Sequence, residues 1–534
     1  MILYAVLLCV AFLAWKTRRS VRSSLEKLPG PPAASFFAGN ALELMDRHGW
    51  GFHERLMRTY GSVTKLHWLF GAPALYVYDP LALQHIVKDI STYEEPSWYI
   101  QSNSIMLGPG ILSVEGDTHR RQRKMLTPVF SAKHLRSAVP VFYQVVDKLV
   151  DAISARVPAG PQAAEVDVLS WMGRAALELI GQSGIGCSFD PLTEDVPDAY
   201  TEAVKNYAPI ATSPQVVMLR QMVPVLRHAG PGWLRRWVVQ RFPLADVRRL
   251  AEISDTLHER SLEIFRAKKA VIEAGGDADA MDIMSILVRA NMNASEEDRL
   301  PEDQLLGQMS SIIFAAMDTT SNSMARILHL LAEHPEVQAK LRREVLEAKA
   351  HGQMDYDQLH ALPYLDAVCR ETLRIAPAGV QTFRSASKDT VLPLSQPVRG
   401  TDGTLMSELT IPKGTNLFLA IWACNRTEEL WGPDAHEWKP ERWLKPLPAA
   451  VESAAIPGVY SNLMTFLGGG RSCIGFTFSQ LEMKVVVSEL IANFSFESSD
   501  TPVVWNLSGI TYPSVSKEST KAEMWLRVRR LRED

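Results

Sequence analysis

The chain has 534 residues, 46% of them hydrophobic, enough to bury a sizeable core in one large domain or several. Its net charge of −4 is spread along the sequence, which gives no footing for nucleic-acid binding. The five cysteines, Cys9, Cys187, Cys369, Cys424 and Cys473, are few, scattered and odd in number, which suits a reducing compartment better than a disulfide framework.

Residues 1–15, MILYAVLLCVAFLAW, carry no charge and are followed by KTRRSVR, with Lys16, Arg18, Arg19 and Arg22. A cleaved signal peptide would carry its charge before the apolar run, so this order predicts a retained transmembrane anchor with the body on the cytosolic side. Fifteen residues of helix cover roughly 22 Å against a hydrocarbon core of about 30 Å. Snorkelling by Lys16 and the thinner endoplasmic reticulum membrane would close that gap, which places the protein there. A shallow interfacial helix is the alternative. Residues 16–32, ending in LPGPP, read as a basic and proline-rich hinge, because these prolines favour extended backbone. Residues 33–534 read as one domain, with no internal repeat or long linker.

Within that domain, residues 62–80 alternate apolar and polar and predict a hairpin around Gly71. Residues 115–380 carry mostly helical periodicity, residues 390–420 short strands, residues 475–493 a helix, and the stretch after 496 strands. The class is mainly α with a small β part. The 304–334 segment is too long and apolar for a surface helix and should cross the core. Asp318, Thr319 and Thr320 in its middle are costly there unless partnered. Either their hydroxyls bond back to the helix and kink it, or the helix opens over a bound reactant. Glu371 and Arg374, three apart, share one helical face, and Arg442 in PERW is a possible third member of that group.

FLGGGRSCIGF, residues 466–476, sets one cysteine in a glycine-rich run with no second cysteine or histidine at metal-site spacing. A large group must approach this backbone closely, with one sulfur facing it. The match of Phe466, Gly469, Arg471, Cys473 and Gly475 to Phe-x-x-Gly-x-Arg-x-Cys-x-Gly resembles the cytochrome P450 family of microsomal haem-thiolate monooxygenases. The anchor, the prolines, the AAMDTT motif, Glu-x-x-Arg and Pro-Glu-Arg follow in that family's order.

The resemblance implies haem as cofactor, with Cys473 as its axial ligand at the start of the 475–493 helix, where N–H dipoles stabilise a thiolate. It implies that Phe466 shields the sulfur, that Gly475 admits the cofactor, and that Arg471 pairs with a propionate. His119, where the family often has tryptophan, and Arg123 sit on the matching propionate-binding helix, and Arg384 matches the arginine for the second propionate. Asp318 and Thr319 match the acid–alcohol pair that supplies protons. Ala316 replaces a usual glycine, its methyl narrowing the groove above the iron without closing it, and Asn425 replaces a frequent histidine, with little expected consequence. Glu371, Arg374 and Arg442 match a structural triad without chemistry of its own.

The implied reaction inserts one oxygen atom of O₂ into a lipophilic substrate, with electrons from NADPH through a membrane-bound NADPH-cytochrome P450 reductase. Segments 98–112, 376–382 and 509–513, including Ile105, Met106, Leu107, Val380 and Ile510, are expected to wall the substrate pocket. Residues 216–241 hold five arginines, two tryptophans and no acid, which reads as a second membrane contact or as a solvated basic helix pair. The overall look resembles fungal enzymes of specialised metabolism, and the substrate expected is a terpenoid. A fatty-acid or aromatic xenobiotic hydroxylase is the alternative. A haem-thiolate isomerase or a non-catalytic lipid or haem carrier would have less need of the Asp318–Thr319 pair.

Overall fold

The computed structural model describes residues 24–193, 199–276 and 282–531. The expected anchor at 1–15 lies outside them. Among the described residues, no helix is long and apolar enough to cross a membrane. Residues 24–32, expected as part of the hinge, are packed on the body. Leu25 and Leu28 are buried, and the Pro29 carbonyl accepts from the Lys65 N–H at 3.0 Å.

The body is mainly helical, with its strands gathered into small sheets. The largest orders Val63–His67, Pro73–Val77, Asn416–Leu419, Thr382–Ala386 and Tyr93–Glu94 side by side. Its first pair is the expected hairpin, with Val63 opposite Val77. Thr390–Arg399 and Leu405–Ile411 form a second hairpin. Val504–Asn506 and Tyr512–Ser514 form a third, which presents Gly509 and Ile510 at its turn. One strand departs from the helical reading. Ala164–Asp167 pairs with Trp525–Arg530, a partner more than 350 residues away. Pairing at such distance leaves no periodic mark in a short local sequence.

The helix Glu302–Glu333 runs 32 residues, about 48 Å at 1.5 Å per residue, through the core. It is uninterrupted, so the helix does not open at AAMDTT. The Thr319 hydroxyl donates to the Ala315 carbonyl at 2.8 Å, and Ser323 does the same to Thr319 at 2.8 Å. The helix Phe476–Asn493 packs beside it and is buried along most of its length, Glu482, Lys484 and Glu489 included.

Beneath these helices, Pro363–Ile375 carries Glu371 and Arg374, both fully buried. Arg374 binds Glu371 through two contacts of 2.8 Å, and Arg442 reaches Glu371 at 3.4 Å and Asp434 at 2.9 Å. The triad therefore ties one helix to the 434–443 segment.

Candidate functional site

Cys473 stands between two pieces of backbone that fix it. Its N–H donates to the Phe466 carbonyl at 2.8 Å, and the Phe476–Asn493 helix begins three residues later, with Gly475 at its N-cap. The glycines before it serve the loop's own packing. A Cβ on Gly468 would lie 1.8 Å from the Pro457 carbonyl oxygen. One on Gly469, whose φ is +66°, would lie 1.9 Å from that of Val87. The close approach anticipated from this glycine run is thus met at two positions by the protein's own backbone.

The Cys473 side chain is exposed, whereas the flanking Ser472 is buried. Burial of the surroundings pushes its thiol up, opposed by the Gly475 N–H and the Arg123 charge. A sulfur open on one side yet ringed by protein is the geometry of an internal cavity wall. Phe466 lies beside it in the loop, its ring 5.5 Å from Tyr460 and 6.2 Å from Phe476.

Arg123, Arg384, Arg471 and His119 converge on one corner. His119 is buried, and its imidazole is pushed down to about 3 by burial and then by Arg471, Arg123 and Arg384. It is neutral at physiological pH and offers one ring N–H. Arg123 donates to the Ser472 carbonyl at 2.6 Å and to its hydroxyl at 2.9 Å, so it also braces the cysteine loop. Arg471 donates to the Val114 carbonyl at 2.9 Å.

Glu95, which the sequence did not single out, lies 3.1 Å from Arg471 and 3.6 Å from Arg384. Glu115 nearby is pushed toward its neutral form by burial and by Glu94 and Glu95. Burial lowers Arg123 and Arg384, and Arg471 lowers both further. A desolvated surplus of guanidinium charge beside an open sulfur needs anions. The two propionates and the iron of a haem match that donor set, so the residues fit the cofactor.

Asp318 faces another way. It is 3% exposed and pushed up by burial, and Lys205 of the Ala199–Ala211 helix pairs with it at 3.1 Å. Lys205 also donates to the Ser321 hydroxyl, and Asn322 donates to Asp318 at 3.0 Å. No pattern in the sequence marks Lys205, because a lone lysine on an amphipathic helix reads as a solvated one.

Asn425 carries more than expected. Fully buried, it accepts from the Met464 N–H at 2.9 Å and donates to Thr465 at 2.8 Å, pinning the backbone just ahead of Phe466.

A cavity opens beside this corner. All three expected wall segments line it, through Trp98, Leu107, Val380 and Ile510 among others. Phe314 of the central helix and Tyr207 join them, neither foreseen from the sequence. Ile105 does not line it and is 61% exposed, and Met106 is also absent from the wall. On a helix, residues one and two before Leu107 point to other faces. Tyr99, on the cavity wall, acts electrostatically on Arg384, so cavity and cationic corner adjoin.

Comparison with known proteins agrees with this geometry. Residues 29–517 match the family described as Cytochrome P450. The chain is 50% identical over 527 residues to cytochrome P450 monooxygenase 81 of Postia placenta, covering 97% of this chain and 96% of that one. It is 49% identical over 544 residues to cytochrome P450 monooxygenase 91 of the same fungus, covering 99% of each. It is 48% identical over 536 residues to a protein of Ganoderma lucidum named ganoderic acid synthetase, covering 98% and 97%. Proteins of this kind bind haem through a cysteine thiolate and draw on NADPH through a reductase. The chain belongs to the cytochrome P450 monooxygenases.

Proposed function

We propose that the protein hydroxylates a lipophilic terpenoid, with Cys473 as the haem ligand and the catalytic body held at the endoplasmic reticulum membrane by residues 1–15. The observation that carries the reading is the exposed Cys473 sulfur beside the Arg123–Arg384–Arg471 corner, next to an apolar cavity. When bound, haem supplies the activation of dioxygen.

The chain's own residues bind, orient and protonate. Cys473 is held by the Phe466 carbonyl, and the Gly475 N–H and the Arg123 charge favour its thiolate against the opposing effect of burial, which pushes the thiol up. Arg384, Arg471 and His119 hold the propionates. Leu107, Phe314, Val380 and Ile510 keep the substrate dry and oriented. Thr319 holds a proton-carrying water at its hydroxyl. Asp318, pushed toward its protonated form by burial and pulled back by its partner Lys205, is the acid of this relay.

The terpenoid assignment is supported by the relative named for ganoderic acid, a terpenoid acid. Membrane association is supported by residues 222–244. Trp233 is 72% exposed, Trp237 50% and Val225 75%, amid Arg227, Arg235 and Arg241. Tryptophan and arginine on one exposed segment suit the headgroup region.

The test is expression of the full chain with a P450 reductase, fed a panel of terpenoids, fatty acids and aromatic compounds. NADPH- and reductase-dependent hydroxylation of a terpenoid is expected. Turnover confined to fatty acids or aromatics would replace the substrate class. Rearrangement of a peroxide without reductase would overturn monooxygenation.

A further inference from the structure

One side chain of the cavity does not suit a purely hydrocarbon guest. Arg220, at the end of the helix Pro214–Arg220, is the sole charged residue among the described residues lining it. Its guanidinium donates to the Ala211 carbonyl at 3.1 Å and to the Asn103 side-chain oxygen at 3.2 Å, both neutral acceptors. Among the described residues no carboxylate pairs with it. It lies over the rings of Trp98, at 5.4 Å, and Tyr99, at 5.8 Å, which fix its plane at the wall.

A second observation points the same way. Trp98 is 7% exposed, and among the described residues its indole N–H has no hydrogen-bond partner. A buried donor left unmade is costly, so an acceptor belongs beside it. Tyr207, buried, and Tyr99, half-buried, flank it, and burial holds both hydroxyls in their protonated form against the pull of the Arg220 charge. The wall at this end of the cavity therefore offers hydrogen-bond donors and one positive charge that no described carboxylate pairs with. The wall contributed by Leu107, Phe314, Val380 and Ile510 offers only hydrocarbon.

We propose that the substrate is a lipophilic monocarboxylate, whose carboxylate is received by Arg220 and the Trp98 indole while its skeleton lies along the apolar wall toward the central helix. The inference rests on the reading of this cavity as the substrate pocket and narrows the substrate class. A planar guanidinium pre-set by two aromatic rings is suited to two-point recognition of a carboxylate. A hydrogen bond to a charged partner in such a site is worth a binding preference of roughly 10- to 100-fold over the neutral analogue.

The test is a spectral binding titration of the haem-loaded full chain at neutral pH. Dehydroabietic acid is compared with its methyl ester and alcohol, and laurate with methyl laurate, in wild type, Arg220→Lys and Arg220→Met. The acid should bind at least tenfold tighter than ester and alcohol in wild type. Arg220→Met should erase that ratio while leaving ester affinity unchanged, which also certifies its fold, and Arg220→Lys should retain part of it. A laurate preference without a dehydroabietate preference would keep the role of Arg220 and assign the skeleton to a fatty acid. Equal binding of acid and ester, or a ratio that survives Arg220→Met, overturns the proposal and leaves the pocket reading intact. Failure of every probe to perturb the haem spectrum overturns both.

Discussion

Glu371→Gln changes one atom type in a fully buried carboxylate, and its cost follows from the contacts it makes. All five N–H groups of Arg374 are satisfied, two by Glu371 and three by the carbonyls of Asn425, Ala435 and Glu437. The carboxylate also accepts from the Lys439 N–H at 3.0 Å, the Trp443 indole at 3.0 Å and Arg442 at 3.4 Å. Glutamine keeps the shape, loses the charge and turns one acceptor into a donor. If its amide nitrogen replaces the oxygen facing Trp443, the Arg374 Nε–H and the Trp443 indole lose their acceptor. The opposite flip strands three donors.

Two buried donors left unmade, one of them charged, cost about 3–5 kcal/mol, the range expected for breaking a buried ion pair. Set against a typical total stability of about 5–15 kcal/mol, the folded-to-unfolded ratio should fall by roughly 10²- to 10⁴-fold. Denaturant unfolding reads this directly, with haem content measured in parallel. Glu336→Gln, at an exposed position, is the control and should stay within about 0.5 kcal/mol of wild type. A Glu371→Gln midpoint equal to that of the control would refute the accounting and demote the triad to a solvated cluster.

Thr319→Ala should keep haem and substrate binding, while product formed per NADPH falls by about 10²-fold or more and hydrogen peroxide rises. Thr319→Ser should recover much of the coupling, and unchanged coupling in the alanine variant would leave this threonine only its bond to Ala315. Burial pushes His53 down to about 4 from the ordinary 6.5, so the unfolded state takes up the proton first as pH falls. Stability present above pH 6.5 is then lost on acidification toward pH 4, by about 3 kcal/mol from this group. His53→Gln should flatten the slope of melting temperature against pH across that window, and equal slopes would count against it. Gly469→Ala would set a Cβ 1.9 Å from the Val87 carbonyl at a φ of +66°, so haem content should drop sharply. Gly51→Ala, where nothing lies within 4 Å, should not change it.

What was legible in the sequence was local. The 63–77 hairpin and the 476–493 helix carry their own periodicity, and the structure forms them as read. Residues that act through distant partners and sit in no motif were not legible. Lys205 gains meaning only when its helix is laid beside Asp318, 113 positions away. Glu95 does so only when Arg384 and Arg471 converge on it, and Arg220 only when Trp98 and Tyr99 flank it. Ile105 fails in the opposite sense. It was chosen because it is apolar in an expected wall segment, but on a helix only part of such a segment faces inward. The glycines of the cysteine loop were read as admitting a large group, but at Gly468 and Gly469 the approaching atoms belong to Pro457 and Val87.

The central claim is that Cys473 ligates haem iron as a thiolate, and the spectrum of the reduced, carbon monoxide-bound protein tests it most directly. Wild type should show the red-shifted Soret band of a thiolate ligand. Cys473→His should bind haem without that band, because imidazole donates less charge to the iron. Persistence of the band in Cys473→His, or its absence from the haem-loaded wild type, would contradict the account.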